Sequence, residues 1–130
     1  MESLEEYINR HRKNEEKRSS FVEYLYELMD KYGYKNASAL YGKAGISRQL
    51  YSSIISGKSN PSLNVSLKLA FALGVTNHEC KYLLKKAGYT LASSNEYSLV
   101  IRYAIENKIY DILKVNELLE ERGYGDSLII

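Results

Sequence analysis

The chain has one proline (Pro61), one cysteine (Cys80), and not a single Asp or Glu between Lys31 and His78. Each scarcity excludes something. A lone cysteine cannot close an internal disulfide and suits a reducing compartment. One proline in 130 residues leaves the backbone free to run as helix, because proline breaks helix interiors by removing a donor and clashing with the preceding turn. No apolar run approaches the roughly 20 residues that a membrane-crossing helix needs. The opening Met1-Glu2-Ser3-Leu4-Glu5-Glu6 lacks the basic-then-apolar order of a secretory leader. A cytoplasmic protein without membrane contact is therefore expected. No segment alternates apolar and polar residues as a half-buried strand does, and no Gly/Ser/Pro-rich linker or internal repeat divides the chain. With no glycine-rich phosphate loop and no nucleophile–base pair at recognisable spacing, neither enzymatic activity nor a cofactor is expected.

What remains is a globular composition, 45% hydrophobic and 26% charged, enough for one modest core. Two histidines, His11 and His78, lie far apart in sequence. His78-x-Cys80 offers two ligand types without a second pair, so no metal site is expected. Thirteen tyrosines fit AT-rich codon usage better than a base-stacking surface. The charges are segregated rather than scarce. Residues 1–30 carry five basic and eight acidic groups, residues 79–130 seven and eight, and the block between them six basic groups (Lys31, Lys35, Lys43, Arg48, Lys58, Lys68) and no acid. A surface built to lie against a polyanion needs this, since carboxylates there would repel phosphates.

The pattern reads as helix throughout. Ser3-x-x-Glu6, Ser20-x-x-Glu23, Thr76-x-x-Glu79 and Ser93-x-x-Glu96 fit the capping box, in which hydroxyl and carboxylate satisfy each other's free backbone N–H groups. Phe21, Tyr24, Leu25, Leu28 and Tyr32 recur at helical spacing until Gly33, and Leu4, Tyr7, Ile8 and His11 make a shorter stripe. Helices are predicted near residues 4–17, 21–32, 37–44, 48–55, 63–73, 77–87, 95–107 and 112–122.

Inside the acid-free block, a short helix over 37–44 meets Gly45, and Ser47 can cap a second helix that ends at Gly57. Gly45 tolerates the left-handed backbone that a tight turn requires, and a capped helix start offers free N–H groups and a positive dipole end. Two short helices about such a turn make a helix-turn-helix, whose second helix lies in the DNA major groove. The run Gly45-Ile46-Ser47-Arg48-Gln49-Leu50-Tyr51 through Gly57-Lys58-Ser59-Asn60-Pro61-Ser62-Leu63, continued by Leu67, Leu69, Ala70, Ala72, Leu73, Gly74 and Val75, resembles the lambda-repressor-like (Cro/repressor, XRE) helix-turn-helix family. The resemblance covers about residues 20–88.

It implies an all-α protein, a five-helix lambda-repressor-like helix-turn-helix domain with an N-terminal helix and two C-terminal helices. The division it implies is 1–19 as a charged helical arm, 20–90 as the DNA-binding domain, and 91–130 as a helical extension for packing or dimerisation. Carried over position by position, the family's base-reading roles fall on Arg48, Gln49, Ser53 and Leu50. Arg48 suits guanine O6 and N7, Gln49 suits adenine N6 and N7, and Leu50 suits a thymine methyl or, equally, the core or a partner. Backbone-contacting roles fall on Asn36, Lys43, Ser47, Ser52, Ser56, Lys58 and Asn60. Four positions depart from the family pattern: Tyr41 stands where a small alanine is usual, Tyr51 where Ile or Val is usual, Ala37 where Gln is common, and Ile55 where a charged residue is frequent. The two tyrosines widen the helix crossing, and a buried hydroxyl among them needs a partner.

The implied function is a sequence-specific transcriptional regulator of repressor type, bound as a homodimer to double-stranded DNA. The alternative is a protein-interaction module, antitoxin-like or a phage-derived adaptor, with Tyr41, Leu50, Tyr51 and Ile55 gripping a protein partner. Leu99, Val100, Tyr103, Ile109, Ile112, Leu113, Val115, Leu118 and Leu119 either complete the monomer core or bury against a second copy. The apolar tail Ser127–Ile130 docks on its own domain or on a partner.

Overall fold

The computed structural model describes residues 1–17, 20–92 and 94–130, the side chains of 11–17 excepted. Among them it contains eight helices and no strand: α1 (Leu4–Lys17), α2 (Ser20–Lys31), α3 (Ala37–Ala44), α4 (Arg48–Ile55), α5 (Leu63–Leu73), α6 (Asn77–Lys86), α7 (Glu96–Glu106) and α8 (Ile112–Glu121). A 3₁₀ turn at Gly125–Ser127 follows α8. These bounds lie within a residue of those predicted from the sequence, because polar caps and glycine stops mark most of the ends.

The caps are specific. Ser3 Oγ accepts from the Glu6 N–H at 3.1 Å. Asn36, Ser47, Ser62 and Thr76 each accept from the backbone three residues on, which satisfies one of the orphan donors at a helix start. At Thr76 both arms of the capping box form, with Glu79 reaching back to the Thr76 N–H. Two of the predicted boxes differ. Ser20 falls inside α2 as its first residue, and α7 is capped by Asn95, whose side chain accepts from the Tyr97 N–H. Ser93 lies outside the described residues.

α5 sits at the centre. It packs on α3 and α6, α6 in turn packs on α2 and α7, and α7 on α8. Its run Ser66, Leu67, Leu69, Ala70, Phe71, Ala72 and Leu73 is buried nearly all round, as a core helix must be. Around it Leu25, Leu28, Leu40, Ile54, Leu83, Leu84 and Ile101 complete a single core. α1 differs: residues 1–10 are all exposed, Leu4 and Ile8 included. No helix among the described residues is long and apolar enough to cross a membrane.

The C-terminal helices divide the apolar set between core and surface. α7 turns Ser98, Ile101, Ala104 and Ile105 inward, while Leu99 and Tyr103 stay 46% and 53% exposed. On α8, Val115 and Leu119 are buried and Leu113 is exposed. Only part of the sequence-derived apolar set therefore completes the core. The tail docks on its own chain. Asn116 Nδ2 donates to the Ile129 carbonyl and Asn116 Oδ1 accepts from the Ile129 N–H, each at 2.8 Å, and Asn64 Nδ2 donates to the Leu128 carbonyl at 3.3 Å. Ile129 is 1% exposed.

Candidate nucleic-acid interface

α3 ends at Gly45 in the left-handed region (φ 70°), where the Gly45 N–H bonds the carbonyls of Gly42 and Tyr41. A side chain there would be strained, so glycine is what makes the turn this tight. Two residues later Ser47 caps α4 through the Leu50 N–H at 3.0 Å. α3 and α4 then meet across the turn as the sequence spacing predicts.

α4 has two faces. Tyr51 and Ile54 are buried, and Leu50 and Ile55 are half-buried and packed against the core. Arg48, Gln49, Ser52 and Ser56 are exposed, with Ser53 between the two classes. Positions 48, 49, 52, 53 and 56 follow a helical stripe, so the candidate base readers share one surface. Neither Arg48 nor Gln49 is engaged in an ion pair or side-chain hydrogen bond among the described residues. Leu50 is the exception in that set, since its side chain already leans on the core.

The candidate phosphate-contacting residues have varied local roles. Asn36 caps α3, accepting from the Ala39 N–H at 2.9 Å and from Ser38 Oγ at 3.0 Å. Ser56 Oγ donates to the Ser53 carbonyl. Lys43, Ser52 and Lys58 are exposed. Asn60 Nδ2 donates to the Ala87 carbonyl at 3.0 Å, which ties the α4–α5 loop to the end of α6. That bond spans 27 positions and has no local sequence signal. A groove of about 560 Å³ beside the turn is lined by Lys43, Gly45 and Lys68 together with Tyr110, Asp111 and Leu113 of the C-terminal extension.

The tyrosine pair resolves the substitutions at the helix crossing. The rings of Tyr41 and Tyr51 lie 5.3 Å apart at 44° and fill the crossing together. The Tyr51 hydroxyl turns inward and donates to Met29 Sδ at 3.6 Å. Burial, with a smaller contribution from Tyr26, raises its pKa. Tyr51 is 6% exposed and so is withdrawn from the Tyr41/Leu50/Tyr51/Ile55 surface that a protein partner would grip.

Within the basic block, Lys31 is spent internally. Its Nζ lies 2.6 Å from Glu79 Oε2, and the same carboxylate accepts from the Tyr32 hydroxyl, the Thr76 N–H and Thr76 Oγ1. Burial alone would raise the Glu79 pKa, but these donors prevail and hold it at about 2. Tyr32 is pushed up to about 12, by its burial and by donating to that carboxylate. The His78-x-Cys80 pair diverges. His78 is exposed beside a small groove with Lys81, Leu99 and Arg102, whereas Cys80 is buried and its thiol pushed up to about 12 by desolvation. Among the described residues no three His, Cys, Asp or Glu side chains gather into a metal-sized group.

The family model described as Helix-turn-helix matches residues 25–76, from the middle of α2 to the N-cap of α6. The match spans the turn, α4 and the loop pinned by Asn60. No curated protein and no solved structure matches the chain.

Proposed function

We propose that this chain, whose residues 25–76 are a helix-turn-helix of the lambda-repressor-like (XRE) class of DNA-binding regulators, is a sequence-specific transcriptional repressor that inserts α4 into the major groove of double-stranded DNA. The observation that carries the reading is the outward face of α4. Arg48 and Gln49 stand exposed and, among the described residues, unpaired just after the Ser47 cap, inside a block with no carboxylate. Arg48 reads guanine through O6 and N7, Gln49 reads adenine through N6 and N7, and Ser53 supplies a third contact one turn on. Leu50 contributes at most the edge of its side chain, against a thymine methyl. Asn36, Lys43, Ser47, Ser52, Ser56, Lys58 and Asn60 fix the register on the phosphates. Three to six neutralised phosphates imply a log–log salt slope of about −3 to −5 per monomer.

In this reading residues 1–19 are an arm, 20–90 the DNA-binding domain and 91–130 the extension through which two copies pair in the cytoplasm. Selection of bound sites from a random duplex library, repeated with Arg48→Ala/Gln49→Ala, tests it. The parent should enrich an inverted repeat. The variant should keep its fold and lose about 2–6 kcal/mol of specific binding, since each bidentate base contact discriminates by about 1–3 kcal/mol. Equal enrichment by both proteins would remove α4 as the reader, and no enrichment by either would point to a protein partner.

A further inference from the structure

Between Lys31 and Asn95 the chain has nine cations (Lys31, Lys35, Lys43, Arg48, Lys58, Lys68, Lys81, Lys85, Lys86) and one carboxylate, Glu79. Glu79 is 7% exposed and already held by Lys31, Tyr32 and Thr76, so it presents no charge to a passing polyanion. Along the chain, the run without an exposed carboxylate therefore extends past His78 and takes in the last turn of α6. Asn60 joins that turn to the helix-turn-helix, because its bond to the Ala87 carbonyl seats the loop carrying Lys58 against the residue that follows Lys86. Lys85 is exposed. Lys86 lies 4.7 Å from the ring centroid of Tyr82, whose ring stands edge-on to Tyr24. A ring beneath an ammonium fixes its place on the surface and leaves its charge intact. Neither lysine has an ion-pair partner among the described residues.

We propose that Lys85 and Lys86 form, with Lys58, a second row of phosphate contacts, so that DNA backbone beside the bound major groove is held by α6 as well as by the helix-turn-helix. This rests on the DNA-binding reading above and extends it to a helix outside residues 25–76. Ammonium groups next to a hydrogen-bonded loop, with no ion-pair partner among the described residues, suit the sequence-independent phosphate row of a duplex. Such contacts act through counterion release, which gives them a signature in salt.

The test is the affinity of the full chain for duplex DNA across a salt series, for the parent, Lys85→Gln/Lys86→Gln and Lys85→Arg/Lys86→Arg, with thermal midpoints alongside. The Gln pair should flatten the log–log slope by about 2, at about 0.9 per lost phosphate contact, and the Arg pair should keep the parent slope. If the lysines serve only the C-terminal dipole of α6, the Gln pair lowers the midpoint and leaves the slope unchanged, which overturns the proposal while DNA binding stands. A parent that shows no salt-dependent duplex binding overturns both.

Discussion

Glu79 does two jobs with one carboxylate. It closes the capping box that starts α6 and ties α6 to the end of α2 through Lys31 and Tyr32. A buried charge is tolerated only when its lone pairs are filled, and four donor groups fill these. The native carboxyl titrates near 2 against an ordinary 4.5. Because the native pKa is the lower one, the unfolded chain binds a proton at acid pH before the native chain does. The stabilisation is complete above about pH 4.5 and drains away as pH falls toward 2. A shift of that size corresponds to at most about 3 kcal/mol, less what solvent removes at the exposed Lys31 end. Denaturant titrations of the parent and Glu79→Gln should show a gap near neutrality that narrows steadily through this window. A gap that stays constant down to the acid end would mean the carboxylate charge contributes nothing.

At the level of elements, most boundaries could be read in advance because they rest on local chemistry. Ser47 and Thr76 cap the starts they were expected to cap, and Gly45 and Gly74 stop helices in the left-handed region. The exposed places of Arg48 and Gln49 on α4 follow from the same local chemistry, since the turn glycine and the cap fix which residues come first on that helix. The phase of α7 was not. Leu99, Val100 and Tyr103 repeat at helical spacing, and so do Ile101, Ala104 and Ile105, so only packing against α6 and α8 chooses the inward stripe. The tail was equally open, because four residues carry no period and their partner, Asn116, lies 13 positions upstream. Its docking has a checkable consequence. Ile129→Ala leaves the two Asn116 bonds possible but empties a fully buried position, and should cost about 2–5 kcal/mol in chemical denaturation. A loss below about 0.5 kcal/mol, typical of surface changes, would show that the tail is not held in the core.

For the molecule as a whole, charge and apolar surface are placed on different parts. The stretch from α3 to α6 carries seven cations and one carboxylate, while on α7 and α8 Leu99, Val100, Tyr103 and Leu118 line a groove of about 310 Å³ flanked by Glu96, Glu121 and Arg122. On the proposed reading, the eight residues of α4 contact only a few base pairs, and pairing two copies about a two-fold axis would add specificity. A second copy across the α7–α8 face would cover Leu99 and Tyr103 and leave both acid-free surfaces free for DNA. Tyr103 is 53% exposed, so Tyr103→Glu should fold as the parent does and place a charge in the middle of the pairing face. Sedimentation should then find the parent dimeric and the variant monomeric. On DNA, the protected region should shrink to a single half-site, with a steep fall in affinity for the inverted repeat. A variant that remains dimeric, or a parent that protects only one half-site as a monomer, would move the pairing surface elsewhere or remove it.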